Sequence, residues 1–176
     1  MKKTVVKYGL LAGLIVSAVM VASMPFMENI DGQWGMIIGY TTQFIAFALI
    51  FVAVKAYREK EGSGAITFGK AFQIGLYISL IASTMYVVSW MIEYHFFLPD
   101  FMEKFTASTL ENMKAEGATA AELEATAKQF AEYGEIYKSP IKIFLFTYVE
   151  ILPTGLLASL LAALILKKKP QQPLTA

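Results

Sequence analysis

Hydrophobic positions gather into four long runs, Val5–Met24, Trp34–Val54, Ala71–Ile92 and Ile141–Leu166. A helix needs about 20 apolar residues to cross a bilayer, so the pattern predicts four transmembrane helices. The region from about 99 to 138 is patterned differently. Met102, Phe105, Thr109 and Met113 recur at helical spacing, and so do Leu123, Ala127, Phe130 and Tyr137. Pro99 and Asp100 mark a helix start and Gly117 a stop, while Thr119 followed by Glu122 fits a capping box. Pro140 is expected to close the segment. Neither arm is apolar enough to cross, so an amphipathic helical hairpin is predicted between the third and fourth spans. Its stripes must be covered by each other, by the bundle, by the interface or by a partner. The expected fold class is all-α: a four-helix transmembrane bundle with an extracytoplasmic hairpin, residues 1–176 forming a single integral membrane domain.

Within the runs, small side chains recur at every fourth position. Gly9, Gly13 and Ser17 lie in the first, and Gly35 and Gly39 in the second, continuing to Gln43. Ala71, Gly75, Ser79 and Ser83 lie in the third, and Gly155, Ser159 and Ala163 in the fourth. Such stripes let helix backbones approach closely in lipid, where packing holds helices together. Packing within one chain and packing between two copies both use this code. Packing within the chain is the expectation here.

Charge then orients the runs. Lys2, Lys3 and Lys7 precede the first. Pro25–Gln33 carries Glu28 and Asp31 and no Lys or Arg. The second loop, Tyr57–Gly69, reads as a turn around Gly62, Ser63 and Gly64, and Lys55, Arg58, Lys60 and Lys70 cluster about it. Glu93–Pro140 holds nine acids against four Lys, and Lys167, Lys168 and Lys169 open the tail. Basic residues near span ends stay cytoplasmic, so every segment places both termini in the cytoplasm. The basic start and apolar run of residues 1–24 also fit a cleaved signal peptide. The run is longer than the ~7–15-residue signal core, which favours an uncleaved span.

Composition removes several classes of function. The 176 residues are 56% hydrophobic with a net charge of +1, and no basic stripe interleaves with aromatics to read nucleic acid. With no Cys and one His, thiolate chemistry and a His-rich metal centre are ruled out. Glu93, His95, Asp100 and Glu103 cluster in sequence, but their spacing matches no metal motif and they read as solvated acids. No nucleophile elbow, zinc-protease signature or phosphate loop occurs. The expectation is a protein that is not an enzyme and has no cofactor. Trp34, Tyr86, Trp90, Tyr94 and Tyr148 read as an interfacial aromatic belt.

Glu150 is the single acid inside a run. Fifteen Leu, Ile, Val and Phe residues between Ile141 and Leu166 surround it. At about 0.3–0.6 kcal/mol each they outweigh the cost of about 2–3 kcal/mol for one central carboxyl. Pro153, three residues on, offers no amide to the carbonyl of Val149. Thr147, Thr154, Gly155, Ala158 and Ala162 lie toward the same side of the helix, so Glu150 is expected to be buried and to donate a hydrogen bond across the bundle. Gln43, Ser83 and Tyr86 are its expected partners at similar depth, and with Pro153 they complete the candidate intramembrane polar site.

Three segments carry a family resemblance: Gly64 to Phe72 (GAITFGKAF), Leu98 to Lys104 (LPDFMEK) and Glu150 to Gly155 (EILPTG). In this order, with four spans and a Lys tail, the chain resembles the bacterial integral membrane proteins of domain-of-unknown-function family 4199. That resemblance implies a multi-pass protein of the bacterial inner membrane. It carries no activity, substrate or site residue. Within the first segment, Thr67 is available to cap the third helix. The function expected is assembly or interaction, with the lipid bilayer and either a second copy or another membrane protein as partners. The alternative is a small oligomeric conduit for a proton, ion or solute along a polar face around Glu150.

Overall fold

The computed structural model describes residues 1–24 and 32–170. The described residues form six α-helices: α1 (Lys2–Ser23), α2 (Gly32–Lys60), α3 (Phe68–Phe96), α4 (Phe101–Ala115), α5 (Ala120–Tyr137) and α6 (Pro140–Leu166). α1, α2, α3 and α6 are each long and apolar enough to cross a membrane. The loop holding Glu28 and Asp31 lies outside the described residues.

Helix ends differ from the apolar boundaries for local reasons. α2 runs on through Lys55, Arg58 and Lys60 because helical hydrogen bonding does not require apolar side chains, and its basic last turn suits the negative end of the dipole. The second loop therefore shrinks to residues 61–67. Ser63 and Gly64 take positive φ, 49° and 82°. Thr67 caps α3, its Oγ1 accepting from the amide of Lys70 at 3.3 Å. Pro140 opens α6 instead of closing the preceding segment, because its ring presets the first helical position. The capping box of α5 forms as the sequence predicts, and Gly117 takes φ +87° after α4.

The chain divides into two compact units, residues 1–87 with 148–176, and residues 88–147. In the first, α1 and α3 meet where a Cβ on Gly9 would lie 2.9 Å from Ile81 and one on Gly13 2.5 Å from Met85. α3 and α6 meet at Gly75, whose Cβ would lie 2.6 Å from Ser159 Oγ. The small stripes of α1, α3 and α6 are thus consumed by contacts inside the chain. That of α2 is not: Gly35 and Gly39 are exposed, and nothing lies within 4 Å of a Cβ built on Gly39. The antiparallel bridge of Ile66 with Lys168, two hydrogen bonds of 2.9 Å, ties the second loop to the tail.

In the second unit, α4 and α5 face each other through Phe105 and Phe130, ring centroids 5.6 Å apart. Trp90, Phe101, Tyr137 and Tyr94 close a cycle of four rings, with successive centroids 5.0, 6.3, 5.1 and 6.4 Å apart. Trp90 is therefore 7% exposed and is a packing residue of this cycle, not part of an interfacial belt. Trp34, 62% exposed, keeps a position that suits one.

Candidate functional site

Gly155 is where α2, α3 and α6 come together. A Cβ there would stand 2.6 Å from Ser79 Oγ and 3.0 Å from Phe47 Cε1. Ser79 and Ser159 return their hydroxyl protons to the carbonyls of Gly75 and Gly155, at 2.9 and 2.7 Å, and their Oγ atoms stand 3.2 Å apart. Serine serves here as a small residue whose polar atom is satisfied by its own helix, so the helices can close on it in a dry setting.

One turn along each helix from this junction lie Gln43, Ser83 and Ile151. All three are buried, Gln43 at 3% exposure. Gln43 Oε1 and Ser83 Oγ have no hydrogen-bond partner among the described residues. Tyr86 is half-buried nearby on α3. On α6, the Tyr148 hydroxyl reaches the Leu80 carbonyl at 3.3 Å and touches the hydroxyl of Thr84, which donates to the same carbonyl at 2.7 Å.

Glu150 does not join this interior. It is exposed, as are Val149, Pro153 and Leu157 on the same side of α6. The covered stripe of α6 runs through Thr147, Ile151, Gly155, Ser159 and Ala163. Glu150 precedes Ile151 by one residue and so sits about 100° round the helix. The expected cross-bundle hydrogen bond is absent: among the described residues, none hydrogen-bonds or ion-pairs with the Glu150 carboxyl. The expected site thus separates into a buried part, Gln43 and Ser83, and an uncovered part, Glu150 and Pro153.

A second acid reverses its expectation in the opposite sense. Glu93 is 4% exposed in the second unit, and among the described residues neither carboxyl oxygen has a hydrogen-bond partner. It stands on the face of α3 that carries Trp90 and Tyr94, three residues before and one after. His95 points elsewhere and is exposed. Among the described residues no three His, Asp or Glu side chains converge as metal ligands would. The available signal was the spacing of Trp90, Glu93 and Tyr94, which sets an acid on an aromatic face.

A family model described as a protein of unknown function, DUF4199, matches residues 7–168, and the chain belongs to that family. No curated protein and no solved structure matches the chain.

Proposed function

We propose that this is a membrane assembly protein without enzymatic activity, which docks another transmembrane helix against the uncovered face of α6. One observation carries the reading: a carboxyl near the middle of an apolar helix lies on a face that the chain's own helices leave open. An intramembrane acid is costly against lipid and is normally turned toward protein or a polar cavity. A helix from elsewhere would supply the missing side. The rings of α4 and α5 cover only part of the apolar stripe on that hairpin, and it is the intramembrane carboxyl that favours a docking surface within the bilayer.

The alternation of basic and acidic loops supports both termini in the cytoplasm with α4–α5 outside, and the family resemblance supports the bacterial inner membrane. Tags on the two termini would then be shielded together from a membrane-impermeant label on intact cells. Opposite responses would overturn the topology.

A photo-crosslinking side chain at Leu157, 50% exposed on this face, tests the docking. Capture of protein is expected in growing cells, and capture of lipid alone would overturn the reading. A conduit for protons or small solutes is the rival, favoured by the unpartnered polar atoms of Gln43 and Ser83. Flux into liposomes that disappears with Gln43→Leu would establish the rival.

A further inference from the structure

We infer that the helix docked on α6 is α6 of a second copy, the two paired about a two-fold axis with Glu150 of each hydrogen-bonded to the Val149 carbonyl of the other. The inference rests on the docking proposed above and names its partner.

Exposure by itself carries none of it. Leu145, Leu160, Leu164, Ile165 and many other apolar side chains are exposed, as any lipid-facing helix requires. What separates this patch is a pair of polar groups with opposite needs. Pro153 has no N–H, so the carbonyl of Val149 loses its ordinary helical donor. Val149 is 73% exposed and Pro153 is exposed, so both residues of that interrupted bond lie on the uncovered side of α6. Glu150 is the next residue. In hydrocarbon its carboxyl is far cheaper uncharged than charged, and an uncharged carboxyl has one O–H to donate. One short stretch of helix thus offers an acceptor without a donor and a donor without an acceptor.

A surface with both halves of a hydrogen bond is complementary to itself. In an isologous pair each patch meets its own copy, so every contact is made twice. The donor and the acceptor belong to adjacent residues, so they sit at nearly the same depth, within about 1.5 Å of helical rise. Two copies inserted in the same orientation bring the groups level. A foreign helix would have to carry a matching donor and acceptor at that depth. A second copy carries them by construction.

The chain has no Cys, so single cysteines can be placed without removing any. Leu157→Cys and Leu161→Cys, in the full chain in native membranes, are expected to form disulfide-linked dimers on mild oxidation. Leu14→Cys, more uncovered still on α1 at 60% exposure, is expected to stay monomeric. In the Leu157→Cys background, Glu150→Gln keeps an N–H donor and should hold the dimer yield within about threefold of the parent. Glu150→Leu should reduce self-association about tenfold or more, the size of two interhelical hydrogen bonds. Pro153→Ala, which returns an amide to the Val149 carbonyl, should weaken the dimer in the same direction. Capture of a different protein at position 157 would overturn the self-pairing and leave the docking intact. Absence of any protein contact there would overturn both. Self-linked dimers whose yield ignores Glu150→Leu would overturn the hydrogen-bonded pairing.

Discussion

The two faces of α6 use the same backbone for opposite purposes. The covered face, Thr147, Ile151, Gly155, Ser159 and Ala163, is built of small or fully enclosed side chains, and the Ser159 hydroxyl is returned to its own helix. The other face, Val149, Glu150, Pro153 and Leu157, holds a carboxyl and a proline and is left open. Polarity alone does not decide which way a side chain turns in a membrane helix. Buried Ser79 and Ser159 are inexpensive because the preceding turn satisfies each of them. A carboxyl in the middle of a helix has no such local solution, so its satisfaction must come from another element or another molecule.

The comparison breaks most sharply at glycine. Gly155→Leu forces atoms into Ser79 and Phe47, where even a Cβ already stands at 2.6 and 3.0 Å. The expected loss is about 3 kcal/mol, the upper part of the range for overpacking. Gly39→Leu places the same side chain in open space on α2, and its effect on the fold should stay within about 0.5 kcal/mol. Reversible unfolding in mixed micelles measures both. Equal losses would mean that the two positions are covered alike.

Glu93 gives the next largest effect and reverses the usual sign of a core substitution. Its carboxyl is enclosed, with no hydrogen-bond partner for either oxygen among the described residues. Glu93→Leu removes a polar group that burial penalises and substitutes an apolar side chain of similar bulk. The expected gain is about 1–3 kcal/mol. Trp90 reports on it directly, because Trp34 is the other of the two tryptophans and can be changed to Phe. A loss on Glu93→Leu would show that the carboxyl is satisfied by something that binds there. Glu150→Leu should leave this same unfolding signal of the monomer unchanged.

Legibility follows the range of the interaction. The four apolar helices, the Thr67 cap of α3 and the capping box of α5 were readable because each depends on neighbours in sequence. The small stripes of α1, α3 and α6 were readable as contact surfaces, since a helix presents every fourth residue on nearly one side. The phase of Glu150 was not. A stripe repeating every four residues drifts about 40° per repeat round a 3.6-residue helix. Residues one position apart therefore compete to face inward. Ile151 won that competition because Gly155 and Ser159 are pinned to Phe47, Ser79 and Gly75 on other helices. The same reasoning covers Glu93 and Trp90: loop charge marks where the apolar run of α3 ends, while Phe101 and Tyr137, distant in sequence, decide that this end is covered. The open stripe of α2 was equally hidden, because Gly35 and Gly39 look no different in sequence from Gly9 and Gly13.

An exposed acid on a helix outside the four apolar ones supplies the last and smallest contrast. Glu122 at the start of α5 is as uncovered as Glu150, yet α5 is not among the helices apolar enough to cross a membrane. Its carboxylate accepts from the Thr119 amide at 2.7 Å and from the Thr119 hydroxyl at 2.8 Å. Those bonds, the backbone one foremost, hold its pKa below the ordinary glutamate value. A carboxylate with a depressed folded pKa stabilises its helix above the unfolded value of about 4.3, and that contribution is lost as pH falls through the lower folded value. Amide exchange in the first turn of α5, corrected for the intrinsic rate, should therefore show reduced protection only below about pH 4.3. Thr119→Ala should speed exchange there about fivefold at neutral pH, the size of a lost N-cap, and should flatten the acid-dependent change. Dimer yield through α6 should ignore both perturbations, because the Glu122 carboxylate is satisfied by Thr119 at the start of its own helix and takes no part in that pairing.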